Sequence, residues 1–242
     1  MTEREQITEE IREEMRQEMT RAMVGRFRQD QQRKLENYRQ QNAYIRKGET
    51  LFTGSSLMEN FPITEYCLNE GLPVAYNRGI GGYTTDDFLE AADTVLLDPQ
   101  PRKLFINIGT NDIADRWEGE DWLDHLSRNC RKVCEIIRDR LPDTEVYWMA
   151  FYPVNVEAAK AQNGTGLGAR TNENVNRANR MTEALAEEFG FHWIDVNDGL
   201  KDAEGRLQAE HTRDGIHFDS EAYRTVFERL KPFLKEAPWG AG

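Results

Sequence analysis

The sequence predicts an α/β fold. It reads as a three-layer α/β/α sandwich on a mainly parallel five-stranded sheet, preceded by one long helix. Three observations carry this. Five short apolar runs alternate with helical patterns from residue 50 onward, as parallel strands joined by crossover helices require. The 242 residues suffice for one such domain and an extension. Residues 2–46 contain no Pro and a single Gly, Gly25, and are rich in Glu, Arg, Gln and Met, so they read as one helix. The resulting boundaries are 1–48 for the helical extension and 49–242 for the α/β domain.

Within the extension Ile7, Ile11, Met15, Met19, Met23 and Phe27 recur every four residues. A four-residue step drifts by about 40° per repeat on a 3.6-residue helix, so the stripe winds and makes no heptad seam. A helix of ~45 residues would be ~65 Å long, more than one compact domain can cover. A second copy of the chain is the simplest cover, giving a homodimer through this helix; the alternative is a partly frayed extension with only its last turns docked on the domain. Lys47-Gly48 stops the helix. Strands are then expected at Thr50–Thr53, Val74–Asn77, Lys103–Ile108, Glu145–Ala150 and His192–Val196. The helices between and after them are Leu57–Glu70, Thr85–Ala92, Asp121–Arg140, Glu173–Phe189 and Ser220–Lys235. The run Gln162-Asn-Gly-Thr-Gly-Leu-Gly168 reads as loop, not helix, and lacks the Lys-Ser/Thr ending of a phosphate loop.

The net charge is −12; residues 1–50 are nearly balanced and the remainder carries the acidic excess. Such a domain is repelled by nucleic acid and anionic membranes. No run of about 18 apolar residues exists to span a bilayer. The N-terminus shows no secretory pattern, which points to the cytoplasm. Three cysteines make no disulfide framework. Cys130 and Cys134 share a helix face, and core packing suits them better than a metal site, since nothing nearby completes one.

Four short motifs carry chemistry: Gly54-Ser-Ser-Leu57, Gly81-Gly82, Gly109-Thr-Asn-Asp112 and Asp214-Gly-Ile-His217. They supply the parts of acyl transfer through a serine ester: a nucleophile, an oxyanion hole, a general base and a group to orient the base. The first three motifs follow successive strands, and sites in parallel α/β sheets form beyond the carboxyl ends of strands. Adjacent side chains leaving a strand point opposite ways, so only one of Ser55 and Ser56 can face the cleft. Glycine suits a backbone N–H that must approach substrate closely, and Gly79, Gly81 and Gly82 all qualify. The Asn111 amide can donate to the same oxygen. Asp112 beside it anchors the loop. Of four histidines, His125 and His192 sit in ordinary structural contexts; His217 has Asp214 three residues earlier, and His211 is its rival as base.

These motifs, in the segments Leu51–Met58, Asn77–Thr84, Phe105–Asp112 and Asp214–Phe218, resemble the four blocks of the SGNH hydrolases, or GDSL lipases/acylhydrolases. The resemblance covers roughly residues 50–235. It implies an SGNH (flavodoxin-like) sandwich, with catalytic Ser56, His217 and Asp214. The implied oxyanion hole is the Ser56 and Gly82 N–H groups with the Asn111 amide. No cofactor or metal is implied. The family's usual Gly-Asp-Ser is Gly-Ser-Ser here, with Ser55 in the Asp place, which alters local hydrogen bonding more than catalysis. The implied activity is hydrolysis of short acyl or acetyl esters, including those of carbohydrates, on a small-molecule substrate. Lysophospholipids, thioesters and acyl transfer also fall within the family's range. A non-catalytic ligand-binding module on the same fold is the other reading. Tyr83, Trp117, Trp122 and Tyr152 are core residues or pocket walls.

Overall fold

The structure is a computed structural model. It describes residues 3–114, 117 and 119–235, with side chains of the first helix described from Arg12 onward. Helix α1 spans Glu3–Asn42. The strands are β1 Thr50–Gly54, β2 Ala75–Asn77, β3 Lys103–Asn107, β4 Glu145–Met149 and β5 His192–Ile194. The remaining helices are α2 Ser56–Glu59, α3 Ile63–Asn69, α4 Thr85–Glu90, α5 Trp122–Arg140, α6 Val156–Asn163, α7 Asn172–Phe189 and α8 Ser220–Lys235. All strands run parallel in the order β2-β1-β3-β4-β5.

Alternation along the strands builds the three layers. Leu51, Leu104, Ile106, Val146 and Trp148 face one core, shared with α4, α5 and α7. Phe52, Phe105, Tyr147 and Met149 face the other, shared with α2, α3 and α8. Both faces are thus buried, as a parallel sheet demands. Register aligns Phe52 with Phe105, Phe105 with Tyr147 and Tyr147 with His192. Their rings stack across the sheet at 4.6, 4.7 and 4.7 Å, which adds specific cross-strand contact to area burial. Cys130 and Cys134 lie in the first core and Cys67 in the second. Burial pushes the Cys67 thiol up to about 11 and Cys134 up to about 12. Among the described residues, no helix is long and apolar enough to cross a membrane.

Three expectations need correction. The helix expected over Leu57–Glu70 is two, α2 and α3, broken at Pro62, which cannot donate to a helical ladder. The one expected over Thr85–Ala92 ends at Glu90 and passes into a π-helical turn, Asp93–Leu97. Gln162 and Asn163, read as loop, close α6; Asn155 caps its start by accepting from the Ala158 N–H at 2.9 Å, and Gly164 ends it in the left-handed conformation.

Helix α1 is docked on the domain at its C-terminal end. Its last four turns lie on it: Gln31 and Asn42 are buried, and Leu35 and Tyr38 pack on the first core. Asn42 accepts from Arg78 Nε at 2.9 Å and donates to the Thr94 carbonyl at 2.8 Å. Met15, Met19 and Met23 remain exposed, and Phe27 is half exposed. The side chains of Ile7 and Ile11 lie outside the described residues.

Candidate active site

The chain reverses direction across the sheet after β2, so the crevice at the carboxyl ends of β1 and β3 is the switch point. The turn after β1 opens with Gly54, at φ 151; a side chain there would put its Cβ 2.0 Å from the Asn107 carbonyl oxygen. Only glycine lets β1 end so close to β3. Ser55 then turns inward and is buried, while Ser56 starts α2 and is partly exposed.

The structure brings Ser56, His217 and Asp214 into one hydrogen-bonded line. Ser56 Oγ lies 2.8 Å from His217 Nε2. His217 Nδ1 lies 2.5 Å from Asp214 Oδ2. The other carboxylate oxygen, Oδ1, accepts from the backbone N–H groups of Ile216 at 3.0 Å and His217 at 2.8 Å. These bonds lock the carboxylate against the turn and aim Oδ2 at the ring. Burial alone would raise the Asp214 pKa, but the bonds from the His217 ring and the two N–H groups outweigh it and hold it below the usual carboxylate value. An ionised Asp214 holds the proton on Nδ1 and leaves Nε2 as acceptor for the Ser56 hydroxyl. His211 instead lies beside Asp219, at 3.5 Å, and His125 between Asp86 and Glu120, at 2.8 and 3.3 Å.

The oxyanion candidates come from the loops after β2 and β3. Gly82 adopts φ 75. The Gly81 N–H is taken by the Glu59 carboxylate. A Cβ on Gly81 would lie 3.6 Å from Ser56 Cβ, so this loop is packed against the candidate nucleophile. Asn111 lies in a 3-10 turn, Thr110–Asp112. Its amide donates to the Tyr83 carbonyl at 2.9 Å, tying the third loop to the second. Asp112 is fully buried and accepts from the Thr85 N–H at 3.1 Å and from the Thr85 hydroxyl. Burial pushes it up to about 6, with the Thr85 bonds offsetting part of that rise. Tyr83, Trp122 and Tyr152 are core residues; Trp117, partly buried, donates to the Asp112 carbonyl at 2.8 Å and stacks on His125.

Two residues that the sequence reading did not single out touch this apparatus. Arg170 donates to Asn111 Oδ1 at 3.2 Å and to the Thr110 carbonyl at 2.9 Å. It thereby sets which end of the Asn111 amide carries the donors. Gln31, on α1, donates to the Gly81 carbonyl at 2.7 Å. Nothing local marks Arg170. Gln31 had a signal: it continues the four-residue step of the α1 stripe one turn beyond Phe27, as a polar residue in an apolar row.

A groove of about 590 Å³ opens beside the line, walled by Gln162, Glu210, Arg213, His217, Phe218 and Asp219 among others. A second groove of about 750 Å³, between α3 and α8, contains none of the candidate residues.

A model of the GDSL-like lipase/acylhydrolase family matches residues 54–225. Curated relatives include an N-acylneuraminate cytidylyltransferase of Escherichia coli, 28% identical over 162 residues, 66% of this chain and 35% of that protein. A rice (Oryza sativa) GDSL esterase/lipase is 25% identical over 67% of this chain and 65% of its own length. The chain therefore spans about a third of the first and just under two thirds of the second. Among solved structures, one from Streptococcus pneumonia described as a platelet activating factor is 28% identical. It superposes with a TM-score of 0.78 over 89% of this chain and 98% of that one. A GDSL-like lipase from Bacteroides thetaiotaomicron shares the fold, with a TM-score of 0.67 and 21% identity over 83% and 96% of the two chains.

Proposed function

Since the chain belongs to the GDSL-like lipase/acylhydrolase family, we propose that it is a serine ester hydrolase acting on short acyl or acetyl esters, including those of carbohydrates. The observation that carries this is the line from Ser56 Oγ through His217 to Asp214, at 2.8 and 2.5 Å. In this reading Ser56 Oγ attacks the ester carbonyl while its proton passes to His217 Nε2. Asp214 stabilises the imidazolium. The Ser56 and Gly82 N–H groups and the Asn111 amide share the charge on the tetrahedral oxygen. Collapse expels the alcohol, which takes the proton from Nε2. A water then gives its proton to Nε2 and attacks the acyl carbon; collapse breaks the acyl–Oγ bond, Ser56 Oγ takes the proton back from Nε2, and the acid leaves. No cofactor or metal takes part in these steps.

The polar and charged walls of the groove beside His217 favour a hydroxyl-rich alcohol portion over a long acyl chain. The His217 side chain is 42% exposed, so water reaches the base; this favours hydrolysis over transfer to a second alcohol. The Met15, Met19 and Met23 row favours a homodimer through the first half of α1. The three unpaired thiols suit a reducing, cytoplasmic setting.

The test is hydrolysis of p-nitrophenyl acetate by the protein and by two single variants. Ser56→Ala should lose several orders of magnitude in kcat. Ser55→Ala should keep most of it. The opposite pattern would move the nucleophile to Ser55, and no turnover by the unmodified protein would leave a binding module.

A further inference from the structure

The second block's loop is gripped by α1. Gln31, Lys34 and Tyr38 lie three and four residues apart and so share one helix face. Tyr38 donates its hydroxyl to the Gly79 carbonyl at 2.9 Å. Lys34 pairs with Glu59, whose other carboxylate oxygen accepts from the Gly81 N–H. Gln31, only 3% exposed, donates to the Gly81 carbonyl at 2.7 Å. Its own Oε1 accepts from Arg28 Nη1 at 3.0 Å, and Arg28 is held by Asp87 Oδ1 at 2.7 Å.

The Gly81 carbonyl and the Gly82 N–H are two ends of one peptide group. In a trans peptide they point in opposite directions. A donor that fixes the carbonyl toward α1 therefore fixes the Gly82 N–H away from α1. Two glycines flank this peptide, and neither has a Cβ to resist its rotation. Turned over, it would present a carbonyl oxygen to the developing oxyanion.

We propose that Gln31 is a positioning residue for the oxyanion hole, so that the docked half of α1 is part of the active site. The inference rests on the ester hydrolase reading. Gln31 reads out the plane of the Gly81–Gly82 peptide, and the Arg28–Asp87 pair keeps its amide from inverting. Phe27 seals the outer side: a Cβ on Gly82 would lie 2.4 Å from its ring.

The experiment compares the full chain with Gln31→Met, which keeps the length of the side chain and removes the donor. Three quantities are read with p-nitrophenyl acetate: kcat, KM and the Ki of phenylboronic acid, which forms a tetrahedral adduct on a serine oxygen. The expected result is a fall of about 10- to 100-fold in kcat, part of the loss of a whole oxyanion donor. KM should change less than about threefold, and Ki should weaken in step with kcat. Leu185→Ala, which leaves a cavity in the first core near the end of α7 without touching α1 or the loop, should lower Tm and leave kcat and Ki near those of the unmodified protein at 25 °C. If Gln31→Met fails to fold, Gln31→Glu replaces it, with a carboxylate that cannot donate at neutral pH and the same expected losses. Unchanged kcat, or a kcat loss without a Ki change, overturns the inference while leaving the hydrolase reading intact. No ester turnover by the unmodified protein overturns both before Gln31 is altered.

Discussion

Removing the Asn111 amide separates catalysis from folding. In Asn111→Ala the oxyanion loses one of three proposed donors. Loss of one donor costs about 10²–10³ in kcat, or about 2.7–4 kcal/mol of transition-state stabilisation. The same substitution takes a donor from the Tyr83 carbonyl and an acceptor from Arg170. Each such bond is worth roughly 0.5–1.5 kcal/mol, and Arg170 keeps the Thr110 carbonyl. The stability cost is then about 1–3 kcal/mol, a Tm lower by several degrees for a domain of this size. The two effects differ enough to be told apart. Turnover of p-nitrophenyl acetate at 25 °C should fall at least 100-fold with KM little changed, in protein that a thermal melt shows to be folded. Asn111→Asp keeps the acceptor for Arg170 and loses the donors, so it should also lose turnover. A folded Asn111→Ala within threefold of full kcat would remove Asn111 from the oxyanion hole and leave it as a tie between two loops.

Two further outcomes follow from the structure. Asp112 is held up at about 6, above the usual carboxylate value, so the folded state binds its proton more tightly than the unfolded chain does. Its contribution is fully present below the unfolded value near 4 and is lost as pH rises to about 6, by about 3 kcal/mol in all. The stability difference between the unmodified protein and Asp112→Asn, from urea unfolding at several pH values, should fall across that window and be flat above it; no trend would mean that Asp112 ionises normally. Deleting residues 1–24 removes Met15, Met19 and Met23 and keeps the docked turns. Light scattering should then report a monomer with unaltered esterase kinetics, and a full-length chain already monomeric at micromolar concentration would dispose of the dimer.

The strands were legible because both faces of the sheet are buried. Apolar runs such as Leu104-Phe-Ile106 have no other comfortable place, so each observed strand falls within two residues of its expected bounds. Helix ends were less legible where one residue overrides a good pattern. Pro62 splits an otherwise continuous helical stretch, and the Asn155 cap starts a two-turn helix just ahead of the glycines after Asn163. In the candidate site, the spacing of Asp214 and His217 anticipated their pairing, because a three-residue turn leaves the carboxylate little choice of partner. The sequence could not choose between Ser55 and Ser56 except through the family register. In the structure Ser56 approaches His217 while Ser55 is buried at the α2 N-cap.

What sequence reading could not supply is where α1 begins to dock and which groups it meets there. A winding stripe says only that its apolar side faces different directions along the helix. The docked part follows from the winding: by Phe27 the stripe has turned onto the domain, and the next members of the series, Gln31 and Leu35, meet the glycine loop and the first core. The exposed methionines lie on the turns before that point. The same periodicity therefore serves two surfaces. A polar residue in the middle of an apolar row looks like an interruption when the helix is read alone. It becomes intelligible once the groups opposite the helix include the Gly79 and Gly81 carbonyls, which Tyr38 and Gln31 satisfy with side-chain donors. Gln31 sits between the exposed methionines and the core contacts of Leu35 and Tyr38, with its amide on the Gly81 carbonyl.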